Sequence, residues 1–312
     1  MESTEIEDGH LVVGLEDLPE PYPLDLSALK DQNDFGEAAF ELLKETSTLL
    51  FYLAYRAPDR PLERNEAIRR GLIKRLNLLG KSLLSDICNN SGYQQLQICR
   101  QVVEAASNYL YLAENDSGSR HDAYVLDSLA SEKANLALID EQVEARGGEV
   151  LPIEERMRRS MERTASVAGV DLDAVPGREK SGWPSALERL QALSPTAYPS
   201  YRSGSLAVHS GWTVLLLQDI VDVPGGFSLD PVVSPSLQPM TAAATVIAET
   251  SAHYVDAEGD DVERAFFAER LEDVIARVRD LDAAHEDYMQ SLEEEPGADG
   301  ESEEEATGPP AA

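Results

Sequence analysis

Basic residues are scarce in this chain of 312 residues: 26 Lys and Arg stand against 58 Asp and Glu, a formal net charge of −32. No Lys or Arg occurs among residues 1–29 or after Arg279, stretches that together hold twenty acids. Such a surface repels a polyanion on average, so contact with nucleic acid requires a local basic face. Cysteine is nearly absent. Cys88 and Cys99 are too few for a disulfide framework and lack paired zinc-ligand spacing, so the expected compartment is a reducing cytoplasm. No apolar run approaches the ~20 residues of a membrane-spanning helix, and MESTEIEDGH lacks the basic-then-apolar order of a secretory leader. The expectation is therefore a protein that neither inserts in a membrane nor is exported. The familiar cofactor and nucleophile signatures are missing as well: no phosphate-binding glycine loop, no G-x-S-x-G, no H-E-x-x-H. No cofactor and no metal is expected. Glu249, His253 and Asp256 fall on one helical face, but three groups scattered on one helix are read as surface neighbours rather than a metal site.

What remains is 42% hydrophobic and 27% charged, a balance that can bury a core. The apolar residues recur at spacings of three and four along most of the chain, which predicts an all-α fold. The expected architecture is a single multi-helix bundle of about eight to nine helices with disordered acidic termini. Residues 1–30 form an acidic N-terminal segment, 31–290 the helical domain, and 291–312 an acidic tail too poor in apolar residues to fold alone. A first helix is expected from Asp34 to Ala57, capped by Asn33 or Asp34 and stopped by Pro58. A second runs from Pro61 to Asn89 and a third from Tyr93 to Asn115. A fourth starts at a Ser119/Asp122 cap and ends at Gly147-Gly148. A fifth covers Pro152 to Ala168 and a short one Pro184 to Leu193. One helix is expected over Tyr198 to Val221, followed by a loop from Val223 to Pro239. Two helices, Gln238 to Ala257 and Asp260 to Gln290, close the domain. No strand is expected.

Two groups of residues carry candidate chemistry. On the second helix Arg70, Lys74, Asn77 and Lys81 share one side while Leu72, Leu76, Leu79 and Leu83 share the other, so Arg70, Lys74 and Lys81 are candidate phosphate contacts; an ordinary solvated face explains the same pattern. In Tyr198-Pro-Ser-Tyr-Arg-Ser-Gly-Ser-Leu-Ala-Val-His, the residues Tyr201, Arg202, Ser205 and His209 fall along one stretch of helix. Arg202 and His209 lie about 10 Å apart along the axis at ~1.5 Å per residue. A permanent cation, a hydroxyl and an imidazole on one wall can bind a phosphodiester and move a proton without a metal. Arg100 and Glu104, one turn apart on the third helix, can pair with each other beside them. The alternative stays open that Arg202 ties a carboxylate such as Glu104 and His209 caps a neighbouring helix.

The R-x6-H spacing of Arg202 and His209, with the earlier R-x3-E of Arg100 and Glu104, resembles uncharacterised helical families of bacteria and phages. These in turn are similar to the HEPN (higher eukaryotes and prokaryotes nucleotide-binding) superfamily. HEPN domains are four-to-five-helix bundles, often dimeric, and many are metal-independent ribonucleases of defence or toxin systems. The resemblance spans about residues 34–220. It implies catalytic roles for Arg202 and His209, supporting roles for Arg100, Glu104, Ser205 and Tyr201, RNA or a nucleotide as partner, and a homodimer. Ser203 departs from the family, which commonly has an amide, acid or histidine after the arginine. The competing expectation is a non-enzymatic interaction or regulatory protein, its acidic ends meeting a basic protein partner.

Overall fold

The computed structural model describes residues 6–7, 10–11, 14–56, 60–90, 92–115, 118–191, 197–209, 211–229 and 235–294. Among them are ten α-helices: α1 (Gln32–Tyr55), α2 (Arg64–Asn90), α3 (Gln95–Glu114), α4 (Gly118–Ala145), α5 (Pro152–Val167), α6 (Ala186–Leu190), α7 (Ala197–Val208), α8 (Trp212–Gln218), α9 (Leu237–Glu258) and α10 (Asp261–Glu294). The all-α architecture expected from periodicity is thus the architecture observed. The expected ends of the chain fall mostly on residues outside the described ones. Within the acidic N-terminal segment, Leu15, Leu18, Tyr22, Leu24 and Leu29 lie half-buried against the core. At the other end α10 continues to Glu294, past the expected boundary at Gln290.

Helix α9 is the centre of the bundle. Ala243, Ala244, Ile247, Ala248, Thr250 and Ser251 are all essentially sealed from water, which lets α1, α3 and α10 approach it from different sides. Two of its buried hydroxyls are satisfied within the helix, Thr250 and Ser251 each donating to the carbonyl four residues back at 2.7 Å. Leu42, Leu49, Leu50 and Leu53 of α1, Leu76 and Leu83 of α2, Val102 and Tyr109 of α3, and Phe267, Leu271 and Val274 of α10 complete one core. Each of these side chains contributes ~1.5–3 kcal/mol by leaving water. The helices that close the core, α9 and α10, lie beyond the 34–220 stretch of the resemblance.

Several boundaries differ from expectation for local reasons. Helix α1 begins at Gln32 because Asp31, not Asn33 or Asp34, is the cap: its carboxylate accepts from the Asn33 and Asp34 amides at 2.8 and 3.0 Å. Helix α2 starts at Arg64, leaving Pro61 outside it. Helix α4 spans Gly118–Ala145, so Ser119 lies within it rather than before it, and Asp122 pairs with Arg64. Helices α4 and α5 form an arm with its own small core of Leu129, Ile139, Met161, Ala165, Leu172 and Val175.

The largest correction concerns 198–239. The single helix expected over Tyr198–Val221 is two, α7 and α8, because Gly211 adopts an extended conformation and serves as the N-cap of α8. Two strands then form a hairpin, β3 (Ile220–Val223) at the end of the expected helix and β4 (Gly226–Leu229) in the expected loop; the first pair of short strands, β1 (Ile6–Glu7) and β2 (His10–Leu11), lies near the N-terminus. The hairpin turn is Val223-Pro224-Gly225-Gly226, with Gly225 at φ 90°, the left-handed conformation that a proline-glycine type II turn demands of its third residue.

Candidate functional site

The site is built where α7 crosses α3. A Cβ placed on Gly204 would stand 2.4 Å from both the Arg100 Cβ and the Leu96 carbonyl, so only glycine allows this approach. Gly204 therefore serves close contact between two helices. The contact brings Arg100, Tyr201 and Ser205 together: Arg100 Nε donates to Ser205 Oγ at 2.9 Å and its Nη2 to the Tyr201 hydroxyl at 3.3 Å, with the guanidinium 4.9 Å from the Tyr201 ring centre. Glu104, one turn on, stands 3.7 Å from Arg100, as its spacing predicts.

A second arginine, absent from the sequence reading, completes the arrangement. Arg189 on α6 is only 7% exposed, lies 3.9 Å from the other oxygen of Glu104, and stacks 5.1 Å from the centre of the Trp183 ring. Its Nη1 donates to the Pro184 carbonyl, while its Nε has no hydrogen-bond acceptor. Burial pulls the Arg189 guanidinium below its ordinary pKa, an effect that Glu104 is the foremost group to oppose. Ser185 sets α6 in place by exchanging hydrogen bonds with Glu188, which holds the Glu188 carboxyl below the usual range. Trp183 is wedged edge-on between Tyr111 and Tyr124. Burial pushes the Tyr124 phenol upward, and Arg189 opposes it.

Arg100, Glu104, Tyr124, Trp183, Arg189 and Tyr201 line one cleft of about 800 Å³, with Asn108, Asp127 and Arg178 on its wall. Asp127 receives the Ser181 hydroxyl at 3.1 Å and Arg178 at 3.4 Å; Asn108 Oδ1 is buried without a partner. Two guanidiniums, one carboxylate between them and an aromatic wall can hold a planar ring carrying an anion. The signal that could have found Arg189 is thin: it follows one of only two tryptophans in the chain by six residues.

Arg202 and His209 are not part of this cleft. Both side chains are exposed, and neither forms a hydrogen bond or ion pair with another described residue. Helix α7 runs antiparallel to α3, with the Ala207 carbonyl receiving Gln97 and Tyr201 beside Arg100, so His209, just past the helix end, sits away from Glu104. The expected tie from Arg202 to Glu104 is replaced by Glu104 facing Arg100 and Arg189. Val208 and Trp212 are exposed too.

The basic stripe of α2 is also divided. Arg70 is half-buried between Glu66 at 3.3 Å and Glu258 at 3.7 Å, and Asn77, expected beside it on the outer face, is fully buried and donates to the Ser47 carbonyl. Lys74 and Lys81 do face solvent, Lys74 5.2 Å above the Tyr55 ring and Lys81 4.3 Å above Phe51. Glu249, on α9, reaches Arg279 at 3.4 Å, while His253 and Asp256 line a different hollow with Glu114. The two cysteines part company as well: Cys99 is buried and Cys88 is exposed. No helix among the described residues is long and apolar enough to cross a membrane.

A family model matches residues 66–226, just over half of the chain, a stretch that runs from α2 into the hairpin turn and contains every cleft residue named above. No curated protein and no solved structure matches it. The chain belongs to the family DUF5677, a family of unknown function.

Proposed function

We propose that this protein binds a nucleotide or a segment of RNA in the cleft between α3, α4, α6 and α7. The observation that carries the reading is the pair Arg100 and Arg189, one fixed by Ser205 and Tyr201 and the other buried beside Trp183 with an unpartnered Nε. Guanidiniums recognise phosphate as a fork, and a base can lie against Tyr124, Trp183 and Tyr201. The kinship to HEPN domains inferred from R-x3-E and R-x6-H points to the same ligand class. Two free thiols fit a reducing, cytoplasmic setting.

The test is anisotropy of a labelled single-stranded RNA with the wild type and Arg100→Gln. A hydrogen-bonded charge of this kind contributes ~1.5–3 kcal/mol, so the variant should bind about 10- to 100-fold more weakly. An unchanged affinity refutes the reading. A second reading, metal-independent cleavage of RNA by Arg202 and His209, draws on the exposure of both side chains on the outer side of α7. Incubation of RNA in chelator settles it: cleavage lost in His209→Ala supports it, and intact RNA with the wild type refutes it.

A further inference from the structure

Glu104 is the charged group of the cleft that a binding role leaves unused. Its two carboxylate oxygens stand 3.7 Å from Arg100 Nη2 and 3.9 Å from Arg189 Nη2, between the guanidiniums and beyond hydrogen-bond distance of both. It is about one-third exposed and open to the cleft, so it can swing outward. Each guanidinium carries five N–H donors, and the bonds to Ser205, Tyr201 and Pro184 leave donors on both. Glu104 is the sole ion-pair partner of Arg189 among the described residues. A buried cation held to its counter-charge only at 3.9 Å is short of negative charge, and a better anion gains there.

We propose that the cleft takes a nucleotide bearing a terminal phosphomonoester, its phosphate displacing the Glu104 carboxylate from between Arg100 and Arg189, and that the two arginines favour this group over an internal phosphodiester. The inference rests on the nucleotide-binding reading above and adds the substrate class. Its physical basis is charge. Any anion that settles between the arginines displaces the Glu104 carboxylate, at the same cost for every ligand. A phosphodiester brings back one negative charge for the one displaced. A phosphomonoester brings about 1.5 to 2 at pH 7, because its second pKa lies near 6, together with a third oxygen for the two forks. The remaining charged or titratable groups on the wall are Asp127 and Tyr124 from α4, Arg178 and Glu179 from the 3-10 turn Arg178–Lys180, and Tyr201 from α7. The cleft volume of about 800 Å³ lies within the ~300–1,000 Å³ of ordinary ligand sites.

Trp183 supplies the readout. The chain has two tryptophans, and the other, Trp212, is 58% exposed on α8 outside the cleft. In Trp212→Phe, Trp183 emission is followed during titration with 5′-AMP, adenosine 3′,5′-cyclic monophosphate, adenosine and inorganic phosphate. The expected result is that 5′-AMP changes the emission and binds at least tenfold more tightly than the cyclic diester or adenosine. Its advantage shrinks as the pH falls below about 6 and the phosphate takes up a proton. Glu104→Gln, with its melting curve recorded to confirm the fold, removes the charge that every phosphate must displace, so it should tighten 5′-AMP and the cyclic diester by a similar factor and leave adenosine unchanged. Equal affinities for the two phosphates, or no tightening of either by Glu104→Gln, overturns the proposal. Should no nucleotide change the emission while RNA still binds and Arg100→Gln weakens it, this inference fails and the broader reading survives; if Arg100→Gln leaves RNA affinity unchanged as well, both fail.

Discussion

Replacing Glu45 by glutamine tests how the bundle is tied together far from the cleft. Glu45 sits on α1 with its side chain 4% exposed, and its carboxylate accepts four hydrogen bonds: the Tyr22 amide at 3.0 Å, Arg270 Nε at 3.1 Å, and Arg277 Nη1 and Nη2 at 2.9 and 3.0 Å. Three parts of the chain meet on one anion: the N-terminal segment, α1 and α10. Burial pushes the Glu45 carboxyl upward, but the bonds from Arg277, the Tyr22 amide and Arg270 outweigh it and hold the group below the usual carboxylate range. Glutamine keeps the shape and removes the charge. Arg277 then retains Asp273 at 2.6 Å, whereas Arg270 keeps only the Pro19 carbonyl. Breaking a buried pair from one side costs ~3–5 kcal/mol, and with Asp273 still in place the lower figure applies. At ~2–4 °C per kcal/mol for a chain of this class, the melting temperature should fall by about 6–12 °C.

The pH dependence follows from the sign of the shift. A carboxyl whose folded pKa is depressed stabilises the protein fully above its unfolded value, ~4.3, and loses that contribution as the pH falls through the folded value. Thermal melts followed by circular dichroism should therefore show a wide gap between wild type and Glu45→Gln at pH 7 that closes steadily below about pH 4. A gap that stays constant down to pH 3.5, or a loss at pH 7 corresponding to less than ~1 kcal/mol, refutes the reasoning.

Gly204→Ala should cost ~1–3 kcal/mol in urea unfolding, since the new methyl meets the Leu96 carbonyl and Arg100 at 2.4 Å and forces α7 off α3; stability within ~0.5 kcal/mol of wild type would contradict the close approach. Alkylation of the native protein at pH 8 should modify one thiol per chain, at exposed Cys88, because Cys99 is 3% exposed and burial pushes its thiol up to about 12; peptide mapping that finds both modified equally fast would refute this.

Helical periodicity exposed the architecture because most of these helices bury one stripe, and a buried stripe writes itself into the sequence at spacings of three and four. Val102, Ala105 and Tyr109 of α3 are an example: they recur at three and four, and all three are buried. The same logic failed where the stripe is not what the helix uses. Residues 198–215 carry apolar groups at helical spacing, yet Val208 and Trp212 are exposed, because Gly211 breaks the helix and α8 leads into a hairpin. The hairpin itself was announced by Val-Pro-Gly-Gly, a turn signal that was absorbed into a presumed loop. Asn77 was placed on the outer face by its phase between Lys74 and Lys81, but α1 and α9 flank α2 and widen its buried face, so Asn77 points to the Ser47 carbonyl.

The cleft was half-visible for the same reason. Arg100 with Glu104 is a local pair, one turn apart on one helix, and local pairs can be seen in a sequence. Arg189 lies 85 positions beyond Glu104, and only the folding of the 3-10 turns and the capped α6 against α3 and α4 brings it within 3.9 Å. Arg202 was favoured over Tyr201 because it carries charge, yet helix phase decides the matter. Tyr201 and Ser205, four apart, face α3, and the residue after Tyr201 is turned by about 100° toward solvent.

The charge of −32 bears on which ligand such a cleft can hold. Repulsion from the acidic surface acts on every phosphate within roughly a Debye length, ~8 Å at physiological salt, so it grows with the length of a bound polyanion. The attraction from Arg100 and Arg189 acts only on the phosphate between them, at hydrogen-bond range and in a partly dry wall where charge is weakly screened. A mononucleotide meets the repulsion once and the attraction once; an RNA strand meets the attraction once and the repulsion along its length. The balance favours a short, terminally phosphorylated ligand. It also fixes the sign of a salt effect: raising salt should relieve the long-range repulsion of an RNA more than that of 5′-AMP, narrowing the difference between them. A difference that widens with salt would mean that further cations, such as Lys74 and Lys81 beside Tyr55 and Phe51, hold the strand.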